Sequence, residues 1–233
     1  MFRSSAHPLV VASVNSHNDL AALPSIDLTA TCDVVEFRLD GIDDSPDTRE
    51  VIAECTAPVI LTARKPEEGA FTKIALPERL KLLQSHLKKN CSVDLECATL
   101  AAGEMNPDLQ NLLTQITATN SQLIASFHDF TSVPDEATVE AKITIARKHK
   151  AIVKIACTVN TIDELSAWTE RLTQLMRSSC AFSFMGMGSY GMATRLTAAS
   201  AGSVLNYGYL VQPSVAGQWP AKSLKQTLAL LAP

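Results

Sequence analysis

Ala151-Ile-Val-Lys-Ile-Ala-Cys157 sets an ammonium group in the middle of an apolar, strand-like run. A parallel strand covered on both faces is close to continuously apolar, so this segment reads as a buried strand with Lys154 as its exception. A lysine left there without a partner would be driven to lose its proton. A neutral lysine is a nucleophile toward carbonyl carbon. The preceding apolar strand, Gln122-Leu-Ile-Ala-Ser126, runs into Phe127-His128-Asp129-Phe130 and so ends in an acid/base group. Imine formation coupled to proton transfer is the chemistry these two strands suggest.

Working outward, similar apolar runs recur every 25 to 30 residues or so, with helical patterns between most of them. The strands are expected at 9–15, 34–39, 59–64, 93–97, 123–128, 152–158, 182–187 and 204–210. Asn106-Pro107-Asp108 opens one helix, and Thr161 with Glu164 forms a capping box ahead of Leu165, Trp168, Leu172 and Leu175. Leu80, Leu83 and Leu87 form a core-facing stripe. Lys148-His149-Lys150 reads as a helix end, where cations are favoured. Eight βα units without a linker or repeat predict one domain over residues 1–233, a closed (β/α)8 TIM barrel. An open doubly wound sheet is the alternative, and no glycine-rich phosphate loop favours it.

A barrel requires inward residues to share strand parity, with reactive groups toward the C-terminal strand ends. Glu36 alternates with Arg38, Thr62 with Arg64, Asp94 with Glu96 and Ser126 with His128, while Lys154 shares its face with Ile152 and Ala156. Met185 and Met187 share a face and can wall a pocket. So many charges in a mere packing layer would be costly. A polyhydroxylated anionic substrate would account for them.

Composition narrows the function classes. A net charge of -4, with no basic run interleaved with aromatics, argues against nucleic acid. The apolar stretch 8–14 is too short to span a bilayer and lacks a processing site, which points to a cytoplasmic protein. Six scattered cysteines show no metal or disulfide spacing and read as reduced thiols, Cys157 among them. His7, His17, His86 and His149 read as solvent-facing.

In order along residues 13–218, these features resemble the type I 3-dehydroquinate dehydratases, Schiff-base lyases of the shikimate pathway. Glu36-Phe37-Arg38-Leu39-Asp40 is similar to that family's Glu-Trp-Arg-x-Asp strand, and Thr62-Ala-Arg64 with Glu67-Glu68-Gly69 to its Thr-x-Arg…Glu-Gly-Gly segment. His128-Asp129-Phe130, the Lys154 strand, Met185-Gly-Met187 with Thr194-Arg195, and Ser214-Val-Ala-Gly217-Gln218 resemble its later motifs. Phe37, Ala70 and Ala216 depart from the usual tryptophan, second glycine and proline.

The resemblance implies that Lys154 forms an imine with the C3 ketone of 3-dehydroquinate and that His128 moves the C2 proton and assists loss of the C1 hydroxyl. Glu68 would orient the histidine, with Glu67 as the alternative partner. Arg195 would take the carboxylate, and Ser13, Glu36, Arg38, Arg64, Ser214 and Gln218 would hold oxygens beside Met185 and Met187. Glu36 and Arg38 could instead form a structural ion pair, and Asp94 and Glu96 read as structural groups balancing cations. The resemblance further implies a homodimer and neither metal nor redox cofactor. A class I aldolase and a non-catalytic barrel remain as rivals.

Overall fold

A computed structural model of the chain describes residues 7–89, 91–103 and 105–231, so the expected domain span of 1–233 begins and ends outside the described residues. Eight strands form at the predicted apolar runs: β1 Leu9–Val14, β2 Val34–Arg38, β3 Val59–Thr62, β4 Ser92–Glu96, β5 Gln122–Asp129, β6 Ile152–Thr158, β7 Phe182–Met187 and β8 Leu205–Tyr209. A ninth, β9 at Trp219–Pro220, is too short for any periodicity to announce. All pair in parallel, in the order β7-β6-β5-β4-β3-β2-β1-β8-β9.

The helices follow their strands. After β1 come α1 His17–Ala22 and α2 Leu28–Thr31; after β2, α3 Pro46–Glu54; after β3, α4 Leu76–His86. α5 Cys97–Ala102 and α6 Pro107–Ala118 follow β4, α7 Glu136–Lys148 follows β5 and α8 Ile162–Arg177 follows β6. α9 Gly191–Ser200 follows β7, and α10 Ala221–Leu231 follows β9. None among the described residues is long and apolar enough to cross a membrane.

Local chemistry explains the ends. The Asn106 side chain accepts the Asp108 and Leu109 N–H groups, and both halves of the Thr161/Glu164 capping box form. α8 then buries Trp168, Leu172 and Leu175, with the Trp168 ring stacked on Phe184 at 4.8 Å. α4 buries Leu80 and Leu83 but stops at His86, so Leu87 leaves the helical path half-buried and His86 takes its place on the stripe. His86 is therefore not solvent-facing: it is 8% exposed, with Nε2 2.8 Å from the Asp44 carboxylate.

Parity holds around the barrel. Inward residues meet inward residues in register: Ser13 with Glu36, Arg38 with Thr62, Thr62 with Asp94, Ser126 with Lys154, and His128 with Ala156. Val11, Val34, Ile60, Ile124, Ile152 and Leu205 pack as an apolar floor inside the barrel. The opposite parity, including Val35, Phe37, Leu61 and Cys157, packs outward under the helices. β7 and β8 close without a regular ladder. Val204 N–H donates to the Phe182 carbonyl at 2.8 Å, the Ser203 hydroxyl accepts from Phe184 N–H at 3.3 Å, and the Ser183 hydroxyl donates to the Leu205 carbonyl at 2.5 Å. β9 pairs farther along β8, at Gly208 and Tyr209.

Candidate active site

Above the apolar floor, the strand ends enclose a cavity of about 250 Å3. Every reacting or binding residue expected from the sequence lines it, from Ser13 on β1 to Gln218 beyond β8. Strand alternation selects most of them, because they lie on the inward parity or on the loop that continues a strand, while Arg195 reaches in from α9.

Lys154 is 4% exposed and is not a lysine without a partner. Its Nζ lies 2.9 Å from Asp94 Oδ2 and 3.5 Å from Glu36 Oε1, and it sits over the Tyr207 ring at 3.9 Å. Glu36 also accepts from the Ser13 hydroxyl at 2.8 Å and the Thr62 hydroxyl at 2.9 Å. Its partner is thus Lys154 rather than Arg38. Asp94, read from the sequence as a structural group balancing cations, is the lysine's direct ion pair. Burial opposes its charge, but Arg64 and Lys154 outweigh that and hold its carboxyl well below the usual range.

Arg64 is pinned beside it. NH1 lies 2.9 Å from Asp94 Oδ1 and donates to the Ser126 hydroxyl at 2.5 Å, which in turn donates to Asp94 at 2.6 Å. Glu96 is occupied by Arg79, the Lys65 N–H and the Thr99 hydroxyl. Arg38 chelates Asp40 at 3.0 and 2.7 Å, donates to the Gly69 carbonyl at 2.9 Å, and lies 4.6 Å from the Phe71 ring centroid. Asp40 also accepts the Arg64 and Phe71 N–H groups, both at 3.0 Å, so it ties together the two ends of the loop that carries Glu68.

Glu68, not Glu67, meets the histidine. Its Oε2 lies 3.1 Å from His128 Nδ1 and 3.1 Å from His128 N, whereas Glu67 turns out toward Lys65. Gly69 allows this turn: its φ is +86°, and a Cβ there would lie 2.6 Å from the Phe130 ring. Burial pushes the Glu68 carboxyl up to about 7, with Arg64 pulling the other way. Burial, then Arg64 and Lys154, holds His128 well below its ordinary value, so the imidazole is neutral at neutral pH. With Glu68 ionised, Nδ1–H donates to it and Nε2 is left as the base.

Arg195, on α9, differs from the other buried cations. It is 3% exposed, NH1 donates to the Tyr207 carbonyl at 2.8 Å, Nε has no hydrogen-bond partner, and no carboxylate pairs with it among the described residues. Burial pulls it down to about 10. Met185 and Met187 form a buried apolar wall beside Ala156 and Tyr207. Ser214 N–H and hydroxyl both donate to Gln218 Oε1, at 2.9 and 3.2 Å, bracing the last loop. Cys157 points away from the cavity, and burial pushes its thiol up.

A carboxylate-held lysine and a neutral strand-end histidine, at the C-terminal mouth of the barrel beside a guanidinium that no carboxylate pairs among the described residues, mark the site of a (β/α)8-barrel enzyme. The model of the type I 3-dehydroquinase family matches residues 8–233, and the chain belongs to that family. A 3-dehydroquinate dehydratase from Methanocella arvoryzae is 33% identical over 96% of this chain and 97% of its own length. One from Methanothrix thermoacetophila is 29% identical over 96% and 92%. The Geobacillus kaustophilus 3-dehydroquinate dehydratase structure matches with a TM-score of 0.80 at 22% identity, covering 97% of this chain and 92% of its own. The type I enzyme from Clostridium difficile, solved with covalently modified comenic acid, also gives 0.80, at 19% identity over 97% and 93%. At such identities the structures speak for the fold alone.

Proposed function

We propose that the chain dehydrates 3-dehydroquinate to 3-dehydroshikimate through an imine on Lys154, within a single barrel domain. The observation that carries this reading is a pair of buried cations on one cavity, one held by carboxylates and the other, Arg195, with none. A substrate bearing a carboxylate and a ketone meets both. Family membership supplies the reaction class.

Lys154, as the neutral amine, attacks the C3 carbonyl carbon with its lone pair, and the carbinolamine takes up one proton from the medium and loses water to leave an iminium. That positive charge acidifies C2. Neutral His128 takes the C2 proton as the electron pair moves toward nitrogen, and the pair then returns to expel the C1 hydroxyl, protonated by His128, as water. Hydrolysis of the conjugated iminium restores the lysine. Glu68 orients His128, Arg195 binds the carboxylate, and Ser13, Glu36, Arg38, Arg64, Ser214 and Gln218 address the remaining oxygens. Met185 and Met187 wall the apolar side of the ring. Because the iminium is the electron sink and the reaction has no net redox change, no metal or redox cofactor enters it.

Borohydride reduction in the presence of 3-dehydroquinate should leave a stable amine on Lys154, read by peptide mass spectrometry. His128→Ala should still trap the adduct while turning over roughly two to four orders of magnitude more slowly. An adduct mapped to another lysine, or an active Lys154→Ala enzyme, would remove the reading. We place the enzyme in the cytoplasm as a homodimer; the free cysteines suit a reducing compartment, and light scattering tests the stoichiometry.

A further inference from the structure

Tyr207 joins two of the cations of the pocket, Lys154 and Arg195, through one residue. Its ring face lies against Lys154, with Nζ 3.9 Å from the centroid, while its backbone carbonyl accepts from Arg195 NH1 at 2.8 Å. The residue is 4% exposed, and its hydroxyl is buried without a hydrogen-bond partner among the described residues, so the side chain is not held there by a polar contact.

The carboxylates around Lys154 act on its N–H groups, with Asp94 at 2.9 Å and Glu36 at 3.5 Å. An ammonium has three such donors. When the amine bonds to a ketone carbon, the oxygen leaves as water with one proton from the amine and one from the medium, and the nitrogen keeps a positive charge but only one N–H. At most one hydrogen-bonded grip of the original kind survives. A ring face needs no N–H, because its quadrupole attracts the charge itself, and it does so more strongly where water is excluded.

We propose that Tyr207 is a further catalytic residue: its ring face stabilises the charged nitrogen on Lys154 through imine formation and elimination, while its carbonyl fixes that nitrogen's placement relative to Arg195. This rests on the imine reading above.

The test replaces Tyr207 with phenylalanine as the reference ring, then with mono-, di- and trifluorophenylalanine, which weaken the negative ring face in steps at nearly constant shape. Borohydride-trapped adduct and kcat should fall stepwise, to about tenfold below the phenylalanine enzyme, and Tyr207→Leu should lose about ten- to thirtyfold. Binding of quinate, the substrate with its ketone reduced, should hold steady across the series, since it forms no imine and the carbonyl that holds Arg195 is present in every variant. A flat response to fluorination overturns the proposal. So does a loss of quinate affinity that tracks the loss of turnover, because that reports a collapsed pocket. If the leucine variant does not fold, the fluorinated series decides alone. No adduct in the unaltered enzyme would sink the imine reading and this inference together, whereas adduct there with a flat series sinks the inference only.

Discussion

Arg195 is a buried cation of the cavity that no carboxylate pairs among the described residues. A guanidinium taken out of water without a counter-ion raises the free energy of the folded protein, and its pull down to about 10 records that burial. Arg195→Met should therefore raise stability, by on the order of 1 kcal/mol in urea denaturation, while weakening 3-dehydroquinate binding roughly ten- to hundredfold in calorimetry. Stability lost together with affinity would mean that Arg195 is a structural group. Glu68 makes a second test, in pH. Burial lifts its carboxyl from 4.5 to about 7, so its contribution to stability is fully present below pH 4.5 and is lost as pH rises through about 7. Glu68→Gln cannot ionise, and should be the more stable protein at pH 8 with the gap closing toward pH 4.5. Urea midpoints at the two pH values check this, and a gap independent of pH would count against the buried carboxylate.

At the scale of elements, the loop between β8 and α10 is docked rather than free. Gly188 N–H donates to the Ala216 carbonyl at 2.9 Å, and Gly217 sits at φ +75° where a Cβ would fall 2.2 Å from the Gly188 carbonyl oxygen. Gly217 is thus a contact point between two turns as well as a left-handed residue. Gly217→Ala should undock the loop and cut turnover severely while Lys154 still forms its adduct; equal loss of both would place the loop in the chemistry itself. Much of this level was legible beforehand. Period-two alternation made Glu36, Arg64, His128 and Lys154 readable as inward neighbours, and the caps at Asn106 and Thr161 began helices where their side chains satisfy backbone N–H groups. What escaped was long-range. His86 finds Asp44 across 42 residues, Asp94 chooses Lys154 across 60, and Tyr207 reaches the lysine from a strand two places away around the barrel. No local pattern encodes such meetings.

For the molecule as a whole, stability comes from outward strand faces packed under helices, and the Trp168 ring on Phe184 is one of its large fully buried contacts. Trp168→Ala should cost about 3–5 kcal/mol, read as a fall in the denaturation midpoint, with the adduct on Lys154 still trapped in the folded fraction. A cost below about 1 kcal/mol would mean that α8 repacks freely. The irregular seam between β7 and β8 also sets an order of events during synthesis. Lys154 and His128 leave the ribosome well before Tyr207 and Gln218, and the barrel cannot shut until Val204 has met Phe182 and Leu205 has met Ser183 across the seam. Domains tend to form as units once their chain is available, so a polypeptide that stops short of β8 carries Lys154 without the Tyr207 ring or the last loop beside it. The cavity around Lys154 is thus finished by β8 and the loop beyond it, although the lysine itself lies on β6.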